Sequence, residues 1–202
     1  MKAGSLFSGI GGFDLGLVRA GMEIAWQVEI DEFCRKVLAK HAPEYWPNAE
    51  RFNDVKEVSK EQLKPHWIIG ENVAGFINME LENAFTDLET EGYKVEAFVL
   101  PAYGVGAFHR RDRIYIVAYR KSKYSEWSLS TRNRFGQSKN AVGNGHNDLR
   151  KSIFEWQSKP PVCGVSNGIP NRVDRLRSLG NAVVPQIVQI IGEFIIQAEL
   201  HL

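Results

Sequence analysis

The sequence predicts an α/β protein with a doubly wound, mainly parallel sheet. Three observations predict it. Apolar strands alternate with helix-periodic stretches along much of the chain. The first strand runs through a glycine turn, "SGIGG", directly into a helix, the local geometry of nucleotide-binding α/β proteins. Carboxylates close two strands, at Glu29 and Glu71, and Asp54 ends a weaker segment between them. In open α/β sheets, the carboxyl ends of the strands are where ligands bind.

Each element can be justified in order. Residues 3–7 are a short apolar strand. In "FDLGLVRAG", Phe13, Leu17 and Val18 share a helical face and Gly21 stops the helix. "EIAWQVE" is the second strand. "DEFCRKVLAKHAP" is a helix capped by Asp31, with Pro43 beyond its end. Asp54-Val55 ends a weak third segment, and "KPHWIIGENV" is the next strand. A helix in "NMELENAFTDLETEGY" stops at Gly92, and "KVEAFVLPAYGV" with "RIYIVAYR" reads as a hairpin. "GNAVVPQIVQIIGEFIIQAEL" is a C-terminal helix entered through Pro185. No internal repeat or low-complexity block interrupts this order.

Composition narrows the function classes. The 202 residues carry a net charge of +1, so overall charge selects no partner. No unbroken apolar run approaches the ~18 residues of a membrane span, and no signal segment opens the chain. The expected location is the cytoplasm. Two cysteines, Cys34 and Cys163, fit a reducing compartment and form no metal cluster. Residues 120–160 are locally basic, with nine Lys/Arg against three acids and Trp127, Phe135, Phe154 and Trp156 interleaved. Arg132 and Arg134 lie at the centre of that segment. Such an insert suits a phosphate backbone, or is simply a solvated surface.

The glycine turn alone is a weak signal, since a tight turn occurs in many α/β proteins. Glu29 strengthens it by ending the second strand 18 positions after Gly11, close to the ~20-residue offset of a ribose-binding acid. Asp54 is placed to receive an adenine amino group. These features favour an adenosine ligand and leave a nicotinamide cofactor and S-adenosylmethionine both open. In "FHRRDRIYIVAY", Arg111 and Arg113 project to one side of a strand. Arginine forks bind carboxylates, phosphates or base edges. Arg172, Arg175 and Arg177 form a second basic edge, or a basic helix face, before Gly180-Asn181.

"LFSGIGGFDLGL", "ENVAG", "HRRDRIYIVA" and "RVDRLRSLGNAVVPQ", in this order, resemble the DNA cytosine carbon-5 methyltransferases of bacteria and phages. The resemblance covers residues 1–119 and roughly 160–202. It implies a Rossmann-like, S-adenosylmethionine-dependent methyltransferase core over 1–119, a short basic target-recognition-like insert over 120–160, and a C-terminal segment over 161–202 that returns to the core. It implies that Phe7, Ser8, Gly9, Ile10, Gly11, Gly12, Glu29, Ile30, Asp54 and Val55 bind S-adenosylmethionine, with Asn181 and Ala182 closing the methionine end. It implies that Glu71 holds the target cytosine, with Arg111 and Arg113 supporting the active site. Double-stranded DNA is the implied partner, contacted by Arg132, Arg134, Arg172, Arg175 and Arg177. In this family a cysteine adds to carbon 6 of the base while a glutamate shares a proton with ring nitrogen 3.

The chain departs from the family at that cysteine. The family's nucleophile lies in a Pro-Cys-Gln loop between the adenine-binding acid and Glu-Asn-Val, but Asp54 and Glu71 are only 17 positions apart. The sequence looks joined between about Lys60 and Lys64, with a central strand and the catalytic loop missing. Cys34 reads as helix packing, and Cys163 has no neighbouring base to activate it. The expectation is a protein that binds cofactor and possibly DNA but does not methylate alone. The alternatives are a non-catalytic DNA-binding or interaction module, a split enzyme whose partner chain supplies the missing part, and a nicotinamide oxidoreductase. Loss of the strand also leaves two sheet edges unpaired. Either residues 67–73 slide beside residues 3–7, the expected outcome, or they pair with something else, with self-association or a partner chain supplying the missing strand also open.

Overall fold

The computed structural model describes residues 1–59, 65–120 and 172–200. It divides into two units, Met1–Pro65 with Pro170–Leu202, and His66–Ile169. In the first unit, β1 (Lys2–Leu6), β2 (Glu23–Val28) and β3 (Glu50–Phe52) form a parallel sheet in the order β1-β2-β3. Parallel neighbours need crossover connections, supplied here by α1 (Gly12–Arg19) and α2 (Glu32–Tyr45). Asp31 caps α2 by accepting the Cys34 N–H at 2.9 Å. Pro43 lies inside α2 rather than beyond it. Proline costs the helix one backbone bond, and the final turn is held by Trp46: its N–H donates to the Ala42 carbonyl and its indole Nε1 to Leu38, both at 3.0 Å.

The C-terminal residues return to this unit as α4 (Arg172–Asn181) and α5 (Pro185–Leu200). α5 lies close against α1. A Cβ on Gly16 would stand 2.6 Å from both the Pro185 carbonyl oxygen and the Val188 Cβ. Although no unbroken apolar run was expected, the stretch Val173–Leu200 has the length and composition to cross a membrane. Within it, Ile187, Val188, Ile191 and Ile195 are buried beside Leu17, Met22 and Ile24, as in a core helix.

The second unit is antiparallel. β4 (Trp67–Val73), β5 (Tyr93–Pro101) and β6 (Asp112–Arg120) form a sheet in the order β4-β6-β5. β5 and β6 are the expected hairpin, joined through a 3-10 turn at Ala102–Val105. α3 (Leu81–Thr90) covers one face, where Leu81, Phe85 and Leu88 pack with Tyr93, Val95, Ile116 and Ala118. The opposite face carries Glu71, Arg113 and Tyr115, since β-strand side chains alternate.

The architecture is mixed α/β with a parallel three-stranded sheet, as expected for a shortened Rossmann-like fold. The expected strand slide does not occur. Among the described residues β1 pairs only with β2, and β4 pairs only with β6. The reason lies in the partner that β6 offers β4. Antiparallel pairing with β6 instead satisfies β4 over seven residue pairs.

Candidate functional site

The glycine turn sits at the carboxyl end of the parallel sheet, where a crevice forms in α/β folds. Phe7, Gly9 and Gly11 all have positive φ, at 55°, 55° and 84°. Gly11 also needs its missing Cβ, which would lie 2.8 Å from the Trp46 ring. The turn is tied to β2: the Ser8 N–H donates to the Val28 carbonyl at 3.0 Å, and the Gly9 N–H to Glu29 Oε2 at 2.6 Å. Glu29 Oε1 accepts the Asp31 N–H at 2.8 Å. One carboxylate therefore fixes both the turn and the entry to α2.

Asp54 and Val55 follow β3. The Glu29 N–H donates to the Phe52 carbonyl at 3.1 Å, which puts Asp54 two residues from a direct contact with Glu29's backbone. Asp54 also caps the 3-10 turn, accepting the Lys56 N–H at 3.0 Å. Asn181 ends α4, and Ala182 leads to Val183, whose carbonyl oxygen lies 3.0 Å from where a Cβ on Gly12 would be. The first unit thus places the turn, Glu29 and Asp54 after the carboxyl ends of its three strands, with Val183 beside the start of α1.

These residues fit an adenosine-type ligand. Phe7 is 76% exposed and Ile30 71%, so two apolar side chains stand unburied on either side of Glu29 in the chain. A Cβ on Gly9 would meet nothing within 4 Å. Each Glu29 oxygen accepts one backbone N–H and retains a further acceptor site for a hydroxyl.

Beneath the turn lies a buried polar group that the sequence reading missed. Asp14 is 0% exposed. It accepts from Gln27 Nε2 at 2.8 Å and from Ser5 Oγ at 3.2 Å, and Ser8 Oγ contacts Ser5 Oγ at 2.9 Å. Burial pushes the Asp14 carboxyl above the ordinary range, against the lowering effect of Gln27 and Ser5.

The second unit holds the other candidate residues. Glu71 on β4 stands directly across from Tyr115 on β6. Glu71 Oε1 pairs with Arg113 Nε at 3.0 Å. Burial raises the Glu71 carboxyl, while Arg113 and then Arg111 pull it back. Arg111 adopts φ +35°, an uncommon conformation outside glycine. Arg110 is turned outward into an ion pair with Asp112 at 2.8 Å. Tyr115 is the further residue missed from sequence, although its parity with Arg111 and Arg113 placed it on their face.

Cys34 is buried in α2, its Sγ 3.5 Å from Ser178 Oγ, and burial raises its thiol above the ordinary range. Such a thiol is packing, not an activated nucleophile. Cys163, Arg132 and Arg134 lie outside the described residues. Arg175 and Arg177 are exposed on α4, which Arg172 opens. Among the described residues no three His, Cys, Asp or Glu side chains group as metal ligands.

Comparison with known proteins adds three findings. The C-5 cytosine-specific DNA methylase family matches residues 1–64 and, separately, 52–161. Type II methyltransferase M.FnuDI of Fusobacterium nucleatum is 27% identical over 164 residues, using 60% of this chain and 47% of its own length. Type II methyltransferase M.HgiDI of Herpetosiphon aurantiacus is 23% identical over 227 residues, using 84% and 74%. This chain spans about half the length of the first of these relatives. DNMT2 of Spodoptera frugiperda shares the fold with TM-score 0.55 at 22% identity, over 66% of this chain and 53% of that one. Dnmt2 of S. pombe does so with TM-score 0.54 at 19% identity, over 67% and 53%.

Proposed function

This chain belongs to the C-5 cytosine-specific DNA methylase family, and from that premise we propose that it holds S-adenosylmethionine and a cytosine of duplex DNA without completing methyl transfer alone. The observation that carries the reading is the Glu29 carboxylate bonded to the Gly9 N–H at the carboxyl end of a parallel sheet. S-adenosylmethionine, when bound, supplies the methyl group. Glu29 accepts ribose hydroxyls, Ile30 and Phe7 cover the purine, Asp54 and Val55 meet the adenine edge, and Asn181 with Ala182 borders the methionine end. Glu71 carries the proton shared with ring nitrogen 3, in a setting whose burial favours its protonated form. Before a base binds, Arg113 fixes the carboxyl's orientation. Exposed Arg175 and Arg177, with Arg172 and the basic segment containing Arg132 and Arg134, contact phosphates. The setting is the cytoplasm, with the DNA.

Incapacity alone is supported by the missing Pro-Cys-Gln loop and by the burial of Cys34. The alignment with M.FnuDI supports it too. It runs over 164 positions yet draws on 60% of 202 residues, about 121, so about 43 positions of that relative face no residue here. The two family matches meet at residues 52–64, the point of the inferred join. Transfer of tritiated methyl groups to duplex DNA tests this reading, and robust incorporation by the chain alone would refute it. Calorimetry with S-adenosylmethionine and NAD separates it from an oxidoreductase. A gel shift that weakens with salt supports the DNA contacts.

A second reading is favoured by the strand edges. β1 and β4 each have one strand neighbour among the described residues. A partner chain carrying a strand and a cysteine loop would pair with the free edge of β1 and complete a split methyltransferase. Restoration of methyl transfer on mixing with such a fragment of a full-length relative tests it.

A further inference from the structure

We propose that Tyr115 is a positioning residue for Glu71: its hydroxyl donates to the Glu71 carboxylate once a bound pyrimidine draws that carboxylate away from Arg113. The inference rests on the base-holding reading above. Tyr115 is 0% exposed, and its hydroxyl is buried with no hydrogen-bond partner. An orphaned buried hydroxyl costs about 1–3 kcal/mol, and phenylalanine would supply the same ring without it. The hydroxyl is not placed at random. Tyr115 is the direct cross-strand partner of Glu71 and lies two residues from Arg113, on the same sheet face. Glu71, Arg113 and Arg111 all act on its ionisation, so the hydroxyl lies within their field; burial and the Glu71 carboxylate keep it protonated. It is therefore a neutral donor beside an acceptor whose Oε1 is held by Arg113. A ligand acceptor that takes the Arg113 guanidinium frees that oxygen, and Tyr115 is the donor left to receive it.

The test is Tyr115→Phe in the full chain, with deoxycytidine monophosphate as probe. Without probe, the variant unfolds at the same or a higher temperature. With probe, its affinity falls roughly two- to tenfold, the range of one neutral hydrogen bond. Its pH midpoint for binding rises, because losing a donor to a carboxylate raises the carboxyl's proton affinity. The 13Cζ resonance of Tyr115 moves when probe is added to the unsubstituted protein. Unchanged affinity and midpoint in Tyr115→Phe, with binding still abolished by Glu71→Gln, would overturn the inference and leave the base-holding reading standing. A lower unfolding temperature with unchanged affinity would make Tyr115 purely structural. No probe binding by the unsubstituted chain would remove the base-holding reading and this inference together.

Discussion

The backbone N–H of Gly9 donates to Oε2 of Glu29 at 2.6 Å. This bond spans 20 residues of sequence and ties the glycine turn to the end of β2. The carboxylate's other oxygen holds Asp31, the cap of α2. A residue read as a ribose acceptor is therefore also the clamp that shapes the turn. In the proposed reading, cofactor affinity and local order rest on one side chain.

Glu29→Gln keeps a single acceptor oxygen and turns an amide N–H₂ toward one of two backbone donors. The predicted cost is about 1–3 kcal/mol of stability, from one backbone N–H left unsatisfied. S-adenosylmethionine affinity is predicted to fall at least about tenfold, since a clamp bond and a ribose acceptor are lost together. Calorimetry and urea unfolding of the same preparation read both effects. Unchanged affinity with lowered stability would confine Glu29 to the clamp.

Asp14 predicts a pH dependence whose sign follows from burial. Burial holds its native carboxyl above the ordinary aspartate value of about 3.8. Between the unfolded and the native value the folded state binds more protons, so stability falls as pH rises through that window. The contribution is fully present below about 3.8 and is lost above the raised native value. Asp14→Asn has no such titration and still offers an acceptor to Gln27. Relative to Asp14→Asn, the unsubstituted protein loses stability as pH rises from acid toward neutral, read by urea midpoints across pH. Asp14→Leu instead strands Gln27 and Ser5 and costs about 1–3 kcal/mol for each orphaned group.

Much of this was legible in the sequence. Alternation of strand and helix marked every strand but the three-residue β3, which read only as a weak segment, and Asp31 marked the start of α2 because a capping carboxylate is a local signal. Glu29 and Arg113 were legible because they end or begin strands beside glycine or arginine clusters. Asp14 was not. Its neighbours Phe13 and Leu17 suggested an apolar face, whereas Gln27 and Ser5, the partners that make its burial tolerable, come from other elements. The strand slide failed for a related reason. Pairing depends on which partner completes the longest ladder, and β6 meets β4 over seven residue pairs.

Gly16 tests the packing of α5 on α1. A Cβ there would meet the Pro185 carbonyl oxygen and the Val188 Cβ at 2.6 Å, and neither is the end of a flexible chain. Alanine would gain helix propensity of about 1 kcal/mol. Overpacking costs typically about 1–3 kcal/mol, so the net prediction is destabilisation. Thermal unfolding of Gly16→Ala reads the sign. A rise in melting temperature would show that the C-terminal helix shifts away without loss.

Arg113 and Arg111 oppose the desolvation of Glu71 unequally. Arg113 contributes charge and a direct bond through Nε, whereas Arg111 contributes charge alone. Arg113→Ala therefore raises the Glu71 carboxyl further above its ordinary value than Arg111→Ala does. The Glu71 side-chain carboxyl carbon, followed by 13C NMR across pH, reports both. Arg113→Lys keeps the charge but not the guanidinium fork, and its effect falls between the two if geometry matters beyond charge. Since a raised native carboxyl contributes stability that is lost as pH climbs through it, Arg113→Ala also extends that loss to higher pH. Equal shifts in the two alanine variants would mean that charge alone governs the pocket and that the 3.0 Å contact adds nothing.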